Sequence, residues 1–153
     1  MNTAEYLNQR RQYSAKRLSA LSKRIARIPE LRRFSRFSIY VTGSFGRLEA
    51  SNRSDLDLFF ILDDSVRKNG IDKLSKTLID AALIRIATNM SFPEFTNQGQ
   101  YLEIHPLLDI VKYLGGPDDD FQNHFTARML LLLESRPVYN ARAYATRGCP
   151  ADS

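Results

Sequence analysis

Two aspartates separated by a single residue, Asp55 and Asp57, are the side chains in this sequence best suited to chemistry. They lie at the start of an apolar run that predicts a strand over residues 56–62. Because alternate side chains of a strand point to opposite faces, both carboxylates should project from one side, with Leu56 and Leu58 facing a core. Two adjacent negative charges repel each other, and a divalent cation relieves that repulsion. Hard oxygen ligands favour Mg²⁺ or Mn²⁺.

A second group of residues, just upstream, is suited to binding phosphate. The strand predicted over residues 38–42 ends in Gly43 and Ser44, which begin a short helix. Unpaired N–H groups at a helix start attract anions, and glycine lets a ligand approach the backbone closely. The Ser44 hydroxyl donates to phosphate oxygens, the N–H of Phe45 belongs to the same turn, and Arg47 adds a charge-assisted contact. Together with the carboxylate pair, this turn is typical of a site that handles nucleoside triphosphates.

These two groups resemble the signature of the DNA polymerase β-type nucleotidyltransferase superfamily. The resemblance rests on GSFGRLE at residues 43–49 and SDLDL at residues 54–58, and a weaker likeness runs from about residue 5 to residue 142. Within the superfamily, the chain is most similar to the bacterial protein-modifying branch, which includes the uridylyltransferase of nitrogen regulation. The resemblance implies an α+β fold with a small mixed β-sheet flanked by helices. It also implies two Mg²⁺ or Mn²⁺ ions and nucleotidyl transfer from a triphosphate.

The resemblance also assigns roles to individual residues. Asp55, Asp57 and a third carboxylate from a later neighbouring strand would bind the metal ions and act in catalysis. We expect the third carboxylate to be Glu103, in a short strand predicted over residues 101–104, with Asp109 as the alternative. The nucleotide-binding residues implied are those of the turn, namely Gly43, Ser44, Phe45 and Arg47.

The acceptor is less defined than the donor. Likeness to the uridylyltransferase branch implies a protein acceptor, with AMP or UMP transferred to a Tyr, Ser or Thr hydroxyl. Transfer to a nucleic-acid 3′ end or to a small molecule uses the same core. An inactive nucleotide-sensing module is the alternative outside enzymes, although retention of Asp55 and Asp57 argues against it. Relatives usually carry a helical domain after this core, so we expect a homodimer or the front part of a longer protein.

Three amphipathic segments predict the helices that surround the sheet. The first spans residues 4–28, the second covers residues 71 to about 90 as a crossover, and the third runs from about residue 119 to 135. The apolar faces expected for them are, in order, Leu18, Leu21, Ile25 and Ile28; Ile71, Leu74, Leu78, Ala82 and Ile86; and Phe121, Phe125, Met129, Leu132 and Leu133.

The length of 153 residues suits a single domain. We divide it into an N-terminal basic helix packed on the core (residues 1–36), a nucleotidyltransferase core (37–142) and a frayed tail (143–153). No apolar run approaches the roughly 20 residues of a membrane span, and no secretory signal is evident. Cys149 is the only cysteine, so no intramolecular disulfide forms. These features favour a cytoplasmic protein.

The formal charge of +5 is distributed unevenly, with ten Lys and Arg residues before the first strand. Such a face attracts nucleic acid, an acidic protein or a triphosphate, or is simply a solvated helix surface. No basic motif with interleaved aromatic residues indicates sequence-specific recognition of nucleic acid.

Other polar residues are interpreted as structural. Asp63 and Asp64 suit a turn after the second strand, and the acids at 118–120 suit a helix start. His105 and His124 do not form a metal cluster with each other, because they are far apart in the sequence. Phe92 and Phe95 are interpreted as loop residues anchored in the core.

Overall fold

The fold is α+β, as the sequence predicts. A computed structural model describes residues 2–63, 71–94, 104–106 and 124–141. Its four-stranded sheet has the order β3-β2-β1-β4; β1 is antiparallel to β2 and β4, and β2 is parallel to β3, so the sheet is mixed. The elements described are α1 (Thr3–Ile25), a 3₁₀ helix (Glu30–Arg33), β1 (Phe37–Val41), α2 (Gly43–Gly46), β2 (Leu58–Leu62), α3 (Lys73–Asn89), β3 (Ile104–Pro106), α4 (His124–Glu134) and β4 (Arg136–Tyr139).

Helix α1 forms and packs largely as predicted. Asn2 and Glu5 form a capping box at its start, satisfying two N–H groups that the helix itself leaves unpaired. Leu18, Leu21 and Ile25 are buried against the sheet. The helix ends at Ile25 and not at residue 28, and the chain then continues into the 3₁₀ helix. Ile28 and Leu31, which follow the end of α1, are still buried in the core.

Both faces of the sheet are covered, which explains why β2 is apolar at every position. Helices α1 and α3 cover one face, where Phe60 and Ile39 are buried. On the opposite face, Leu131 of α4 packs with residues of β1 and β2. A strand buried on both sides has no reason to alternate apolar and polar residues.

Helix α3 connects the parallel strands β2 and β3, as expected for a crossover, but it buries a different face from the one predicted. Leu74 is 69% exposed and Leu78 is 45% exposed, whereas Ile79 and Leu83 are buried. Ala82 and Ile86 do pack on the core. The helix is apolar around much of its circumference, so its sequence fits more than one stripe, and the contact with α1 and the sheet selects between them.

The C-terminal part differs most from the sequence prediction. Met129, Leu132 and Leu133 of α4 are exposed, and Leu131 is the residue that reaches the core. Residues Arg136–Tyr139 form an edge strand, β4, that the sequence analysis does not predict. An edge strand tolerates Pro137, because one side of it needs no ladder hydrogen bonds. The predicted starts of this helix and of the tail lie outside the described residues.

None of the helices within the described ranges is both long enough and apolar enough to cross a membrane.

Candidate active site

The two aspartates precede β2 and do not belong to it, because the strand begins at Leu58. Leu56 is nevertheless buried, so the short extended segment already directs its leucine inward. Asp55 is exposed and Asp57 is half-buried. The N–H of Thr42 donates to the carbonyl oxygen of Asp57 at 3.0 Å, which fixes the backbone of Asp57 beside the end of β1.

Gly43 and Asp57 approach each other so closely that a side chain at position 43 would have to displace the Asp57 carboxylate. Gly43 has φ of +63°, a conformation that strains residues with a side chain. A Cβ atom at this position would lie 2.8 Å from Oδ2 of Asp57. The turn predicted to bind phosphate and the carboxylate predicted to bind metal therefore converge at one point.

The electrostatics at Asp57 suit a cation. Burial, and then the negative charge of Asp55, raise the pKa of the Asp57 carboxyl above its usual range. The carboxylate form is thus disfavoured by its surroundings, and a bound cation would offset both causes. The residues present therefore fit a divalent metal ion.

Ser44 and Phe45 lie in α2, a four-residue helix preceded by Thr42 as N-cap. Ser44 is half-buried, and its carbonyl oxygen accepts a hydrogen bond from the N–H of Glu49 at 2.8 Å, closing the turn. The Phe45 side chain is buried and packs edge-on against Phe92, with ring centroids 5.4 Å apart. Only the backbone of Phe45 remains for a nucleotide, and Phe92 is a core anchor, as predicted.

Arg47 already has two carboxylate partners. Its Nε atom lies 2.8 Å from Oε2 of Glu49, and its Nη1 atom lies 2.6 Å from Oε2 of Glu134. The hydrogen bond to Glu49 is the main cause that raises the pKa of Arg47. A phosphate contact from this guanidinium would have to compete with these carboxylates, which the sequence analysis does not anticipate.

The junction between α4 and β4 supports the turn from behind. A Cβ atom at Gly46 would overlap the carbonyl oxygen of Glu134 and lie 2.7 Å from its carbonyl carbon. Nε of Arg136 donates to the carbonyl oxygen of Gly46 at 2.8 Å. Sequence reasoning missed Glu134 and Arg136 because they follow the turn by nearly ninety residues, and nothing local indicates the pairing.

An open pocket of about 410 Å³ borders the same turn on the side of α1. One face of the helix contributes Leu7 and Arg11, and the turn contributes Arg47, Leu48 and Glu49. Apolar and charged groups are thus both available beside the turn.

The third carboxylate is the part of the predicted site that the structure does not place. Glu103 and Asp109 both lie outside the described residues, and so do Asp64, Phe95 and the acids at 118–120. In the described portion of the chain, no three His, Cys, Asp or Glu residues are grouped so as to hold a metal ion. The strand β3 does lie beside β2 in parallel, with Ile104 in register with Phe60.

The remaining polar residues make structural contacts. The His105 ring stacks on Phe59 with centroids 5.4 Å apart, consistent with its structural interpretation. The N–H of Asp63 donates to the carbonyl oxygen of Arg36 at 3.0 Å, just after β2. The side chain of His124 lies outside the described part of the structure.

Comparison with known proteins identifies the region that contains this site. The family model described as a nucleotidyltransferase domain matches residues 23–128, which is more than half of the chain. The matched region includes the turn at Gly43, both aspartates and strands β1 to β3. No curated protein and no solved structure matched the chain.

Proposed function

Because this chain belongs to the nucleotidyltransferase-domain family, we propose that it transfers a nucleoside monophosphate from a triphosphate to a hydroxyl group, with Gly43, Ser44 and Asp57 at the reacting centre. The family assignment confirms the resemblance to the DNA polymerase β-type superfamily at that level. The observation that carries the residue assignment is the convergence of Gly43 and Asp57, where the space for a side chain is filled by the carboxylate.

Asp55 and Asp57 would hold two Mg²⁺ or Mn²⁺ ions, with Glu103 or Asp109 as the third carboxylate. When bound, such ions polarise a phosphoryl oxygen and stabilise the charge of the leaving pyrophosphate. The raised pKa of Asp57 supports this assignment, because burial and, second, the negative charge of Asp55 both disfavour the carboxylate, and a bound cation would offset both causes.

The chain's own residues supply binding and orientation. The Ser44 hydroxyl and the N–H groups from Gly43 to Phe45 would donate to the β- and γ-phosphates, which leave as pyrophosphate. Burial of the Phe45 side chain keeps this backbone in place, so the donors are oriented before the substrate arrives. Glu103 or Asp109 would help to deprotonate the acceptor hydroxyl.

We propose a protein as the acceptor, with AMP or UMP added to Tyr, Ser or Thr. Likeness to the uridylyltransferase branch supports this choice, and the pocket beside Leu48 offers a surface for an acceptor segment. Retention of Asp55 and Asp57 favours an active enzyme over a nucleotide-sensing module.

Calorimetric titration with each of the four ribonucleoside triphosphates, in Mg²⁺ and in EDTA, tests the site. We expect Mg²⁺-dependent binding to the parent chain, and its loss in Asp57→Asn. Asp80→Asn is the matched control, because Asp80 lies on α3 and pairs with Lys76. If Asp57→Asn and the parent bind equally, the assignment of Asp57 is wrong.

A labelled triphosphate then tests the reaction. We expect transfer of label to a protein in the presence of the parent chain and none with Asp57→Asn. Tight Mg²⁺-dependent binding without transfer to protein, nucleic acid or small-molecule hydroxyls would support the sensing module instead.

A further inference from the structure

A second charged region lies at the N-terminal end of the chain. Residues 1–36 carry ten Lys and Arg against two Glu, whereas residues 37–153 carry twelve Lys and Arg against fifteen Asp and Glu. The positive charge is therefore concentrated in α1, the 3₁₀ helix and the segments that flank it. Eight of these side chains are exposed, and we call six of them, which lie between residues 16 and 33, the basic face: Lys16, Lys23, Arg24, Arg27, Arg32 and Arg33.

The basic face is displaced from the side of α1 that packs on the sheet. Leu18, Leu21 and Ile25 define the buried stripe. At 3.6 residues per turn, Lys16 and Lys23 lie on the opposite side of the helix, two turns apart. The helical part alone, from residue 16 to 25, is about 14 Å long at 1.5 Å per residue.

The charges of the basic face are not neutralised by the described part of the protein. None of its six side chains forms an ion pair with a described residue, whereas Arg47 and Lys76 do. Arg17, which flanks the face, is occupied by the carbonyl oxygen of Met90 and by the Phe92 ring. The one carboxylate between residues 16 and 33 is Glu30, which is half-buried.

The composition of the face distinguishes among polyanionic partners. Residues 16–33 include no aromatic residue, and the exposed large apolar side chains of α1, Tyr6 and Leu7, lie outside this stretch. Protein interfaces have an apolar centre and are depleted in lysine, and helices that bind membranes insert Trp, Phe or Leu. Interfaces with nucleic acid are polar and strongly positive.

We propose that the basic face binds the phosphate backbone of a nucleic acid without reading its sequence. Duplex DNA carries one negative charge per roughly 1.7 Å of axis when both strands are counted, so a stretch about 14 Å long contains roughly eight phosphates, and those on the side that faces the protein can meet these cations. The absence of aromatic residues between residues 16 and 33 predicts that no bases are stacked on this face. This binding uses neither Asp55 nor Asp57, and it holds whether the nucleotide acceptor is a protein or a nucleic acid.

Fluorescence anisotropy with two labelled duplexes of unrelated sequence, each of about 20 base pairs, tests this proposal between about 50 and 200 mM salt. We expect equal affinity for both sequences. The logarithm of the binding constant should fall against that of the salt concentration with a slope of about −4 to −5, as expected for about five phosphate contacts.

The double variant Lys23→Gln, Arg27→Gln tests the location. It should make the salt slope shallower by about 2 and weaken binding about tenfold. Lys73→Gln, Arg85→Gln is the matched control, because it removes one lysine and one arginine that are also exposed but lie on α3. Asp57→Asn should keep duplex binding while it loses triphosphate binding, which separates the two proposals.

Four outcomes would overturn the proposal. Equal losses in the two double variants would mean that net charge and not this face attracts DNA. Competition by polyglutamate as strong as by DNA would indicate an acidic protein, and preferential binding to anionic lipid vesicles would indicate a membrane. Absence of duplex binding at the lowest salt concentration would remove the nucleic-acid partner altogether.

Discussion

Gly43 and Gly46 bracket the same short helix, yet different kinds of neighbour require glycine at each position. A Cβ atom at Gly43 would lie 2.8 Å from Oδ2 of Asp57, which is a side-chain atom. A Cβ atom at Gly46 would overlap backbone atoms of Glu134. A carboxylate can rotate away from a new neighbour, whereas the backbone between α4 and β4 cannot move without displacing both elements. The turn can therefore adjust where Gly43 faces the Asp57 carboxylate, but it is fixed where Gly46 faces the backbone of Glu134.

The largest effect expected from this comparison is that of Gly46→Ala. The added methyl group has no free space, so α4 and β4 must shift away from the turn. We expect the unfolding free energy to fall by about 3 kcal/mol or more. For a chain of this size, that loss corresponds to a melting temperature lower by roughly 6–12 °C. Urea unfolding of the variant measures it. A loss below about 1 kcal/mol, within the range of an ordinary substitution, would show that the junction yields easily.

Gly43→Ala should lower the unfolding free energy less than Gly46→Ala does, but it should impair triphosphate binding more. The positive φ alone disfavours alanine by about 1–2 kcal/mol, and the methyl group also displaces the Asp57 carboxylate. We expect Mg²⁺-dependent triphosphate binding to be lost while the fold persists. Adding Asp57→Ala should recover the part of the stability loss that is due to crowding, but not the part due to φ. If the double variant is as unstable as the sum of the two single variants, no contact links these residues.

The two ion pairs of Arg47 should differ in strength. Glu134 is less exposed than Glu49, with side-chain exposures of 29% and 51%, so solvent screens its charge less. In double-mutant cycles with Arg47→Met, we expect a coupling of about 0.5–1 kcal/mol with Glu134→Gln and at most about 0.5 kcal/mol with Glu49→Gln. A stronger coupling with Glu49 than with Glu134 would show that Arg47 interacts mainly within the turn and contributes little to its contact with α4.

The smallest effect concerns pH. Because the pKa of Asp57 is raised in the folded chain, folding favours its protonated form. This group therefore supports stability most at low pH, and that support is lost as the pH rises through the folded pKa. In metal-free buffer at neutral pH, Asp57→Asn should melt at a higher temperature than the parent. Thermal scans from acidic to neutral pH should show the difference growing with pH; a constant difference would argue against this titration.

The part of the site that is local in sequence could be predicted from the sequence. The turn at Gly43 and the aspartates at 55 and 57 lie on adjoining segments, and the antiparallel pairing of β1 with β2 brings them together. Asp57 lies just before β2 and not in it, yet a hydrogen bond from the N–H of Thr42 to its carbonyl oxygen holds its backbone beside the turn at Gly43.

The faces of the helices were harder to predict. Helix α3 is apolar on several sides, so Leu74 and Ile79 are equally plausible core residues from periodicity alone. The fold buries Ile79 because α1 and the sheet approach from that side. In α4, similarly, five consecutive residues from Met129 to Leu133 are apolar, and only packing shows that Leu131 reaches the sheet.

The support of the turn from behind could not be predicted at all. Strand β4 is four residues long and includes Pro137, which lowers any local strand propensity. The contacts of Glu134 and Arg136 with the turn depend on how this strand aligns with β1, and that alignment includes an irregularity beside Tyr40.

The position of β4 in the chain has a consequence for folding during synthesis. Strand β1 lies between β2 and β4, yet residue 134 follows residue 46 by nearly ninety residues. At about 5–20 residues per second, a ribosome completes that interval in roughly 4–18 s. Once β2 has been made, the nascent chain can pair β1 with β2, but the opposite edge of β1 lacks β4 and the turn lacks its contacts with Glu134 and Arg136. The turn would thus gain its contacts with Glu134 and Arg136 only after α4 and β4 have been made.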